Sequence, residues 1–334
     1  PIVPEGVVTP VPVMSKPVID VAAGLILKPD GALLLGQRPA DKPWPGWWEL
    51  PGGKIEAGET VLQALARELK EELDIEVTQA TPWVTYVHEY PKNIVRLAFC
   101  KVTGWNGVPT GLEGQSLAWV DPNAPIEVGP LLPATEPPLR WLRLPSQYLI
   151  TGIQHPGNLE TYLIQLKKAL DRGVRLVQFR EPEWASSDHA NTLYPAFQQV
   201  LNICRAAGAQ CLVNSTHPKA WWTEGDGVHL RAQDIHDFER SVLPKPHLCG
   251  ASVHNNTELA LAQNINADFV VIGHVCPTPS HPGESVMGWR QFATLAGQAG
   301  RPVFAIGGQT EKTYITAQEH GAHGIAAIRG LLPA

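Results

Sequence analysis

The sequence predicts two α/β domains in succession, a compact mixed α/β unit and then a (β/α)8 barrel. The 334 residues exceed one ordinary domain and give two domains enough chain for a core each. In the second half, short apolar segments alternate strictly with helical ones, whereas the first half mixes strands with two helices. We expect residues 1–17 to be a disordered leader, 18–143 the first domain and 147–334 the second.

Composition narrows the class of protein. The formal net charge of −6 gives no indication of a surface for a nucleic-acid polymer. No apolar run is long enough to cross a membrane, and five cysteines without paired spacing suit a reducing cytoplasm. The Pro- and Val-rich start lacks the features of a signal peptide, and Met14 is a second candidate for the natural start. We therefore expect a cytoplasmic protein that acts on small molecules.

In the first domain, strands are predicted at 21–27 and 32–37, joined by a hairpin turn at Asp30-Gly31. Further strands are predicted at 83–90, 95–102 and 116–120, and a second helix after Pro133 that ends at Leu142. The first helix begins near Thr60, with Gln63 as its capping-box partner. Four leucines at helical spacing predict its buried stripe: Leu62, Leu65, Leu69 and Leu73.

The opposite face of this helix is acidic. Glu68, Glu71 and Glu72 follow at helical spacing, so their carboxylates cluster over about one turn. Such crowding is unfavourable unless positive charge lies among the carboxylates. A solvated acidic face with an Arg67–Glu71 pair is one interpretation, but the preceding Pro51-Gly52-Gly53 backbone favours a site for a metal-bound phosphate chain.

The segment from Gly53 to Ile75 resembles the Nudix box, GX5EX7REUXEEXGU, and departs from it only where Asp74 replaces glycine. The resemblance implies an α/β/α sandwich and a hydrolase that cleaves a nucleoside diphosphate linked to another group. It implies that Mg²⁺, or Mn²⁺ as an alternative, is held by three helix carboxylates and the Gly52 carbonyl. In this interpretation Glu59 supports the loop and Arg67 orients the carboxylates Glu68, Glu71 and Glu72.

Within that family the likeness is to MutT-type 8-oxo-dGTP diphosphatases, whose substrate is a nucleoside triphosphate. It extends to LLGQR, which ends at Arg38, and to LEGQ, whose Glu113 is expected to be a further metal ligand or base. Those enzymes read the oxidised purine with an asparagine where Thr135 stands, and one hydroxyl cannot reproduce that bidentate contact. Tyr90, Asn93 and Trp119 are candidates for replacement contacts to the base.

In the second domain, eight apolar strands predict the barrel, whose functional groups would lie at the strand C-termini. The strands are predicted at 148–151, 176–179, 210–213, 227–230, 248–253, 269–273, 302–306 and 324–328. Candidate functional residues at their ends include Arg180, Asn214, His229, His254, His274 and Arg329.

The barrel resembles the thiamine phosphate synthase and TenI group through VQFRE, GVHL, ASVH, GHVCPTP and AIGG. The resemblance implies a thiazole phosphate-type ligand whose phosphate binds the Gly307 and Gly308 backbone. Three residues depart from the synthase pattern, and only Asp234 remains as a Mg²⁺ carboxylate in the barrel. The departures are Pro182 and His281 in place of lysines and Ser215 in place of an aspartate.

These departures rank the hypotheses for the barrel. A TenI-like thiazole tautomerase, in which His254 moves protons, comes first, followed by non-catalytic phosphate-ligand binding and then residual synthase activity. The leading hypothesis for the chain is a Mg²⁺-dependent Nudix pyrophosphohydrolase fused to such a barrel. The alternative is a Nudix hydrolase of a thiamine-pathway diphosphate, with the barrel as a synthase or a binding module.

Overall fold

The structure is a computed structural model that describes residues 15–334. Most of the expected leader, with Met14, lies outside the described residues. The predicted fold class is confirmed: a mixed α/β region built on two sheets precedes a closed barrel of eight strands. No helix in residues 15–334 is long and apolar enough to cross a membrane.

The first region contains a four-stranded mixed sheet, a three-stranded sheet and two helices. The strands are β1 (Val18–Ile26), β2 (Leu33–Gln37), β3 (Trp48–Glu49), β4 (Gly52–Lys54), β5 (Glu76–Glu89), β6 (Ile94–Asn106) and β7 (Leu117–Val120). The helices are α1 (Val61–Leu73) and α2 (Glu136–Leu142). The larger sheet has the order β4-β1-β6-β5, with β1 parallel to β6, and the smaller is antiparallel in the order β3-β2-β7.

Alternation along β1 supplies two cores, because successive side chains point to opposite faces of a strand. Ala22 and Ile26 pack with the buried residues of α1, whereas Ala23 and Leu25 pack with a second core that includes Trp141 of α2. The sheets of this region therefore lie between α1 on one side and α2 on the other. This layering holds α1, with its acidic face outward, against the β1 sheet.

Helix α1 begins as predicted and ends in an unusual backbone conformation. Thr60 is its N-cap, and the reciprocal capping box with Gln63 is present. Asp74 ends it in the left-handed region, at φ 56° and ψ 37°, where the family motif has glycine. Aspartate tolerates this conformation better than most residues, so the departure from the motif leaves the helix end intact.

For the first region, the hairpin prediction holds only at the turn, where the Lys28 amide donates to the Ala32 carbonyl, and one helix prediction is wrong. The strands predicted as a hairpin, β1 and β2, join different sheets, and only one bridge, Leu27 to Leu33, connects them. The chain twists away after the turn because each strand finds a longer partner elsewhere. Leu62 does not belong to the buried stripe: it is 41% exposed, and Ala64 takes its place in the core.

The barrel strands are β8 (Gln147–Ile150), β9 (Leu176–Phe179), β10 (Gln210–Asn214), β11 (Gly227–Leu230), β12 (Leu248–Val253), β13 (Phe269–Ile272), β14 (Val303–Ile306) and β15 (Gly324–Ala327). The helices are α3 (Leu159–Asp171), α4 (Pro182–Ala185), α5 (Leu193–Ala206), α6 (Lys219–Glu224), α7 (Asn256–Asn264), α8 (Gly288–Ala296) and α9 (Tyr314–Glu319). All eight predicted strands are confirmed within one residue at each end. They pair in parallel, and β15 closes the barrel on β8.

The two regions touch through a buried polar contact. The Trp83 indole Nε1 in β5 donates a hydrogen bond to Nδ1 of His323, which precedes β15, over 3.0 Å. His323 Nε2 in turn donates to the carbonyl of Leu144, at the junction between the regions, over 2.7 Å. Both ring nitrogens are thus satisfied in the neutral form, and burial lowers the pKa of His323 to about 3.

Candidate active sites

The acidic face of α1 is organised by Arg67. Its guanidinium contacts Glu59 at 2.7 Å, Glu68 at 2.8 Å and Glu71 at 3.5 Å, and it also donates to the Lys54 carbonyl. The hydrogen bond from Arg67 lowers the pKa of Glu59 to about 2. Glu59 also accepts a hydrogen bond from the Glu56 amide, which ties the loop to the helix. Arg67 is therefore the positive charge that the crowded carboxylates require.

Glu72 lies apart from this network, in a small cleft. The cleft is lined by three carboxylates and one lysine: Glu49, Glu72, Glu113 and Lys42. Burial, and then the charge of Glu113, raise the pKa of Glu72 to about 7. The Lys42 ammonium lies 2.6 Å from Glu113 and is the cation that partly offsets these charges.

The donor set fits a divalent cation with a preference for oxygen. No group of three His, Cys, Asp or Glu side chains within residues 15–334 already has metal-binding geometry. However, the crowded carboxylates of Glu72 and Glu113 need positive charge, and hard oxygen ligands suit Mg²⁺ or Mn²⁺. Glu68 lies against the backbone of Gly53, where a Cβ atom would approach its carboxyl carbon to 2.3 Å. Gly53 is thus required for Glu68 to reach this position.

None of the residues predicted to bind the nucleotide lines this cleft. Arg38 makes a bidentate contact with Glu49, at 2.9 and 2.8 Å. Tyr90 and Asn93 form the turn between β5 and β6, and Asn93 Oδ1 is buried with no hydrogen-bond partner in the described chain. Thr135 is 3% exposed and lies in a 3-10 turn just before α2.

The mouth of the barrel holds the second group of predicted residues. Arg180, Asn214 and His254 line one cavity of about 290 Å³. Gly307, Gly308 and Arg329 line a second cavity of about the same volume. His274 and His281 line both, so the two cavities adjoin. The strand ends therefore bring the predicted barrel residues together, as expected for this fold.

Gly307 and Gly308 have positive φ angles of 102° and 64°. A Cβ at Gly307 would lie 2.8 Å from the Cβ of His274, and one at Gly308 would lie 2.8 Å from the Pro277 carbonyl. Only glycine gives this loop both the backbone conformation and the close packing. The loop thereby keeps its backbone open to the cavity.

A chain of hydrogen bonds crosses the barrel beneath these cavities. Asn214 donates to Gln178 over 2.7 Å, and Gln178 donates to the Tyr148 hydroxyl over 3.2 Å. The Tyr148 hydroxyl proton is then directed to His229 Nδ1, 3.0 Å away, because its other partner, the Gln178 amide nitrogen, can only donate. His229 Nε2 donates to the Ser252 hydroxyl over 2.9 Å, and burial lowers the pKa of His229 to about 3.

His254 has an acidic partner. Its Nδ1 lies 2.9 Å from a carboxylate oxygen of Glu258, one turn into α7, and the same oxygen accepts from the His254 amide. A carboxylate at Nδ1 orients the ring and leaves Nε2 for other contacts. By contrast, Asp234 is held by Arg231 and by Ser215, each at 2.6 Å. Asp234 is therefore already neutralised by a cation of this chain.

An acidic-helix sandwich fused to a (β/α)8 barrel with a polar mouth defines a two-domain enzyme. The chain belongs to the Nudix family through residues 18–142, which match the NUDIX domain model, and to the thiamine monophosphate synthase family through residues 147–331. The resemblances inferred from the motifs are thus confirmed. As a Nudix hydrolase, the chain acts on phosphoric anhydride bonds.

Separate relatives match the two parts of the chain. Over 121 residues, 36% of this chain and 88% of the relative, it is 41% identical to the 8-oxo-dGTP diphosphatase of Haemophilus influenzae. Over 119 residues, 36% of this chain and 87% of the relative, it is 40% identical to the CTP pyrophosphohydrolase of Escherichia coli. Over 197 residues, 59% of this chain and 54% of the relative, it is 32% identical to the thiamine-phosphate synthase of Thermosynechococcus vestitus.

Several residues of these sites were not predicted from the sequence. Lys42 and Glu49 lie in loop and strand segments whose spacing carries no motif, although Glu49 immediately precedes the Leu50-Pro51-Gly52 approach to the helix. Gln178 was detectable, because a glutamine inside an otherwise apolar strand requires a buried partner. Tyr148 was not, since a tyrosine in a strand is usually part of the core.

Proposed function

We propose that the first domain is a Mg²⁺-dependent pyrophosphohydrolase that converts nucleoside triphosphates, such as 8-oxo-dGTP, to the monophosphate and diphosphate. The observation that carries this proposal is the partly buried Glu72 carboxylate beside Glu113: the pKa of Glu72 stays raised, to about 7, although Lys42 offsets part of the charge. The similarity to two nucleoside triphosphate hydrolases supports the substrate class.

In this proposal Glu68, Glu71, Glu72, Glu113 and the Gly52 carbonyl hold the metal. Bound there, Mg²⁺ would neutralise phosphate oxygens and lower the pKa of the attacking water. Arg67 orients Glu68 and fixes the loop through Glu59, and it need not touch the substrate. Lys42, beside Glu113, would move to the phosphate chain, since its ammonium is flexible and is the cation that lines the cleft.

The identity of the base is the open part of this proposal. The asparagine that reads the oxidised purine in MutT-type enzymes is replaced by Thr135, which is buried. Identity to an 8-oxo-dGTP diphosphatase and to a CTP pyrophosphohydrolase differs by one percentage point, so similarity does not favour either base. The test is turnover of 8-oxo-dGTP, dGTP, CTP and thiamine diphosphate by the whole chain, with product masses measured. Equal turnover of 8-oxo-dGTP and dGTP would contradict a role in removing oxidised nucleotides.

For the barrel, we propose a thiazole phosphate-type ligand with its phosphate on the Gly307 and Gly308 backbone and its ring near His254. The support is the adjoining pair of cavities and the Glu258 carboxylate that orients His254. His254 would move a proton between ring positions through Nε2, which makes tautomerisation the reaction that suits the site best. Synthase activity is disfavoured because Arg231 already neutralises Asp234.

A further inference from the structure

A third cavity lies at the junction of the two domains, away from both candidate active sites. Its volume is about 440 Å³, and its walls come from the first domain, the junction segment 142–146 and the base of the barrel. The polar residues that matter here are Lys101, Arg143, Arg175, His323 and Tyr314. The cavity lies at the strand N-termini of the barrel, the end opposite to the mouth.

The charge in this cavity is of one sign. Lys101, Arg143 and Arg175 all line it, and no aspartate or glutamate of the described chain does. Within residues 15–334, none of the three lies within ion-pair distance of a carboxylate. Cations that converge without a counter-charge repel one another, and the free energy falls when an anion enters.

Each cation retains donors for such an anion. Arg143 uses Nε for the Pro122 carbonyl, and Arg175 uses Nη1 for the carbonyls of Leu170 and Val174. The backbone contacts fix the guanidinium groups and leave their other nitrogens available. The Lys101 ammonium lies 4.9 Å from the centre of the Trp83 ring, and burial lowers its pKa to about 8.

We propose that this junction cavity is a binding site for a small phosphate-bearing anion. Lys101 of the first domain, Arg143 of the junction segment and Arg175 of the barrel hold this anion jointly. Two guanidinium groups and an ammonium suit a phosphate group with two or more negative charges. Inorganic diphosphate and a nucleoside monophosphate both have such a phosphate group. The site is independent of the function proposed above, because neither cluster of candidate catalytic residues lines it.

Lysine acetylation at pH 8, mapped by mass spectrometry on the whole chain with a chelator present, reports on this cavity alone. A bound phosphate anion raises the pKa of Lys101 and covers its ammonium, so its acetylation should slow about tenfold at ten times the dissociation constant. Lys219, which lies over the Trp222 ring in the barrel, is the matched control and should react at an unchanged rate. Inorganic phosphate, inorganic diphosphate and a nucleoside monophosphate are compared with sodium chloride at equal ionic strength.

Protection of Lys101 by any of the three phosphate anions supports the site, and the most potent identifies its source. Arg143→Gln and Arg175→Gln should each weaken that protection. No protection by any of them, protection equal to that by chloride, or undiminished protection in both variants would overturn the proposal. Lys101→Met gives a second readout: it removes a buried unpaired charge, so the midpoint of thermal unfolding should rise without phosphate. A fall in this midpoint would mean that Lys101 has a stabilising partner in the free chain, which would contradict the proposal.

Discussion

Trp83 and His323 lie 240 positions apart in the chain and are joined by a buried hydrogen bond of 3.0 Å. The direction of this bond fixes the histidine tautomer, because the indole N–H can only donate. Nδ1 is therefore the acceptor, and the N–H group at Nε2 donates a hydrogen bond to the Leu144 carbonyl. A single side chain of the barrel thus bonds both to the first domain and to the junction segment.

Replacing Trp83 should weaken the contact between the domains. Trp83→Phe leaves His323 Nδ1 buried without a donor, which costs about 1–3 kcal/mol in the free energy of unfolding. Denaturant unfolding measures this loss. Trp119→Phe is the control, since Trp119 stacks on Trp105 within the first domain. An equal loss in both variants would show that the indole volume matters and the interdomain bond does not.

Stability should fall in mild acid. Burial lowers the pKa of His229 and His323 to about 3, below the usual value of 6.5. The unfolded chain therefore binds more protons between pH 3 and 6.5, and stability that is complete above pH 6.5 is lost as the pH falls through this window. Between pH 6.5 and 5 each histidine accounts for as much as about 2 kcal/mol.

The free energy of unfolding, measured by urea titration from pH 7.5 to 5, tests this expectation. His229→Gln removes one of the titrating groups and should flatten the dependence. His236→Gln is the comparison, because the His236 side chain is 61% exposed. If both variants keep the full slope, the acid sensitivity arises elsewhere.

Two neighbouring glutamates should differ in their importance for hydrolysis. Glu72→Gln removes a partly buried charge that the proposed cation needs and should lower kcat by about a hundredfold or more. The Glu71 side chain is 60% exposed, and its contact with Arg67 is long, at 3.5 Å. Glu71→Gln should therefore lower kcat less than about tenfold. Diphosphate release under saturating Mg²⁺ measures both. The opposite ranking would exclude Glu72 as the principal ligand.

Glycine substitutions separate the site from the fold. Gly53→Ala places a methyl group against the Glu68 carboxyl, so hydrolysis should be lost. Gly58 has a φ of 83° and open space around it, so Gly58→Ala should cost about 1 kcal/mol in stability while activity is retained. Activity assays with thermal unfolding compare the two. Full activity of Gly53→Ala would mean that Glu68 need not lie against the backbone.

The barrel reaction should depend on His254 more than ligand binding does. His254→Ala removes the group that moves the proton, so tautomerisation should stop while thiazole phosphate still binds to the glycine loop. Glu258→Gln should slow the reaction while ligand binding is retained, because the amide no longer fixes the orientation and tautomer of the His254 ring through Nδ1. Calorimetric binding and a coupled tautomerase assay distinguish these effects. Loss of binding in His254→Ala would assign the histidine to ligand affinity.

Local pattern predicted the barrel well, because each strand is a short apolar run bounded by turn residues. The same reasoning failed at Leu62, where a heptad-like spacing could not tell which side of α1 meets the sheet. It predicted the turn between β1 and β2 but not that the two strands join different sheets, because strand partners depend on the rest of the sheet. The motifs located Glu72 and Glu113, but the cleft that both residues line depends on the fold of the loop that carries Glu113.

The junction cavity could not be predicted from any pattern in the sequence. Its cations, Lys101, Arg143 and Arg175, come from three separate segments and share no spacing. Only the docking of one domain on the other brings them together. The same holds for His323, whose position before a strand gives no sign of a partner in the other domain.

The junction segment is also part of the barrel wall. The Ser146 carbonyl accepts from the Ile325 amide over 3.0 Å, and a Cβ at Gly324 would lie 1.9 Å from that carbonyl. Separating the domains would take the Trp83 partner away from His323 and would expose the Trp83 side chain, which is 5% exposed in the whole chain. The buried contact between the domains is therefore a sufficient physical reason for both to share one chain, without any transfer of a metabolite from one active site to the other.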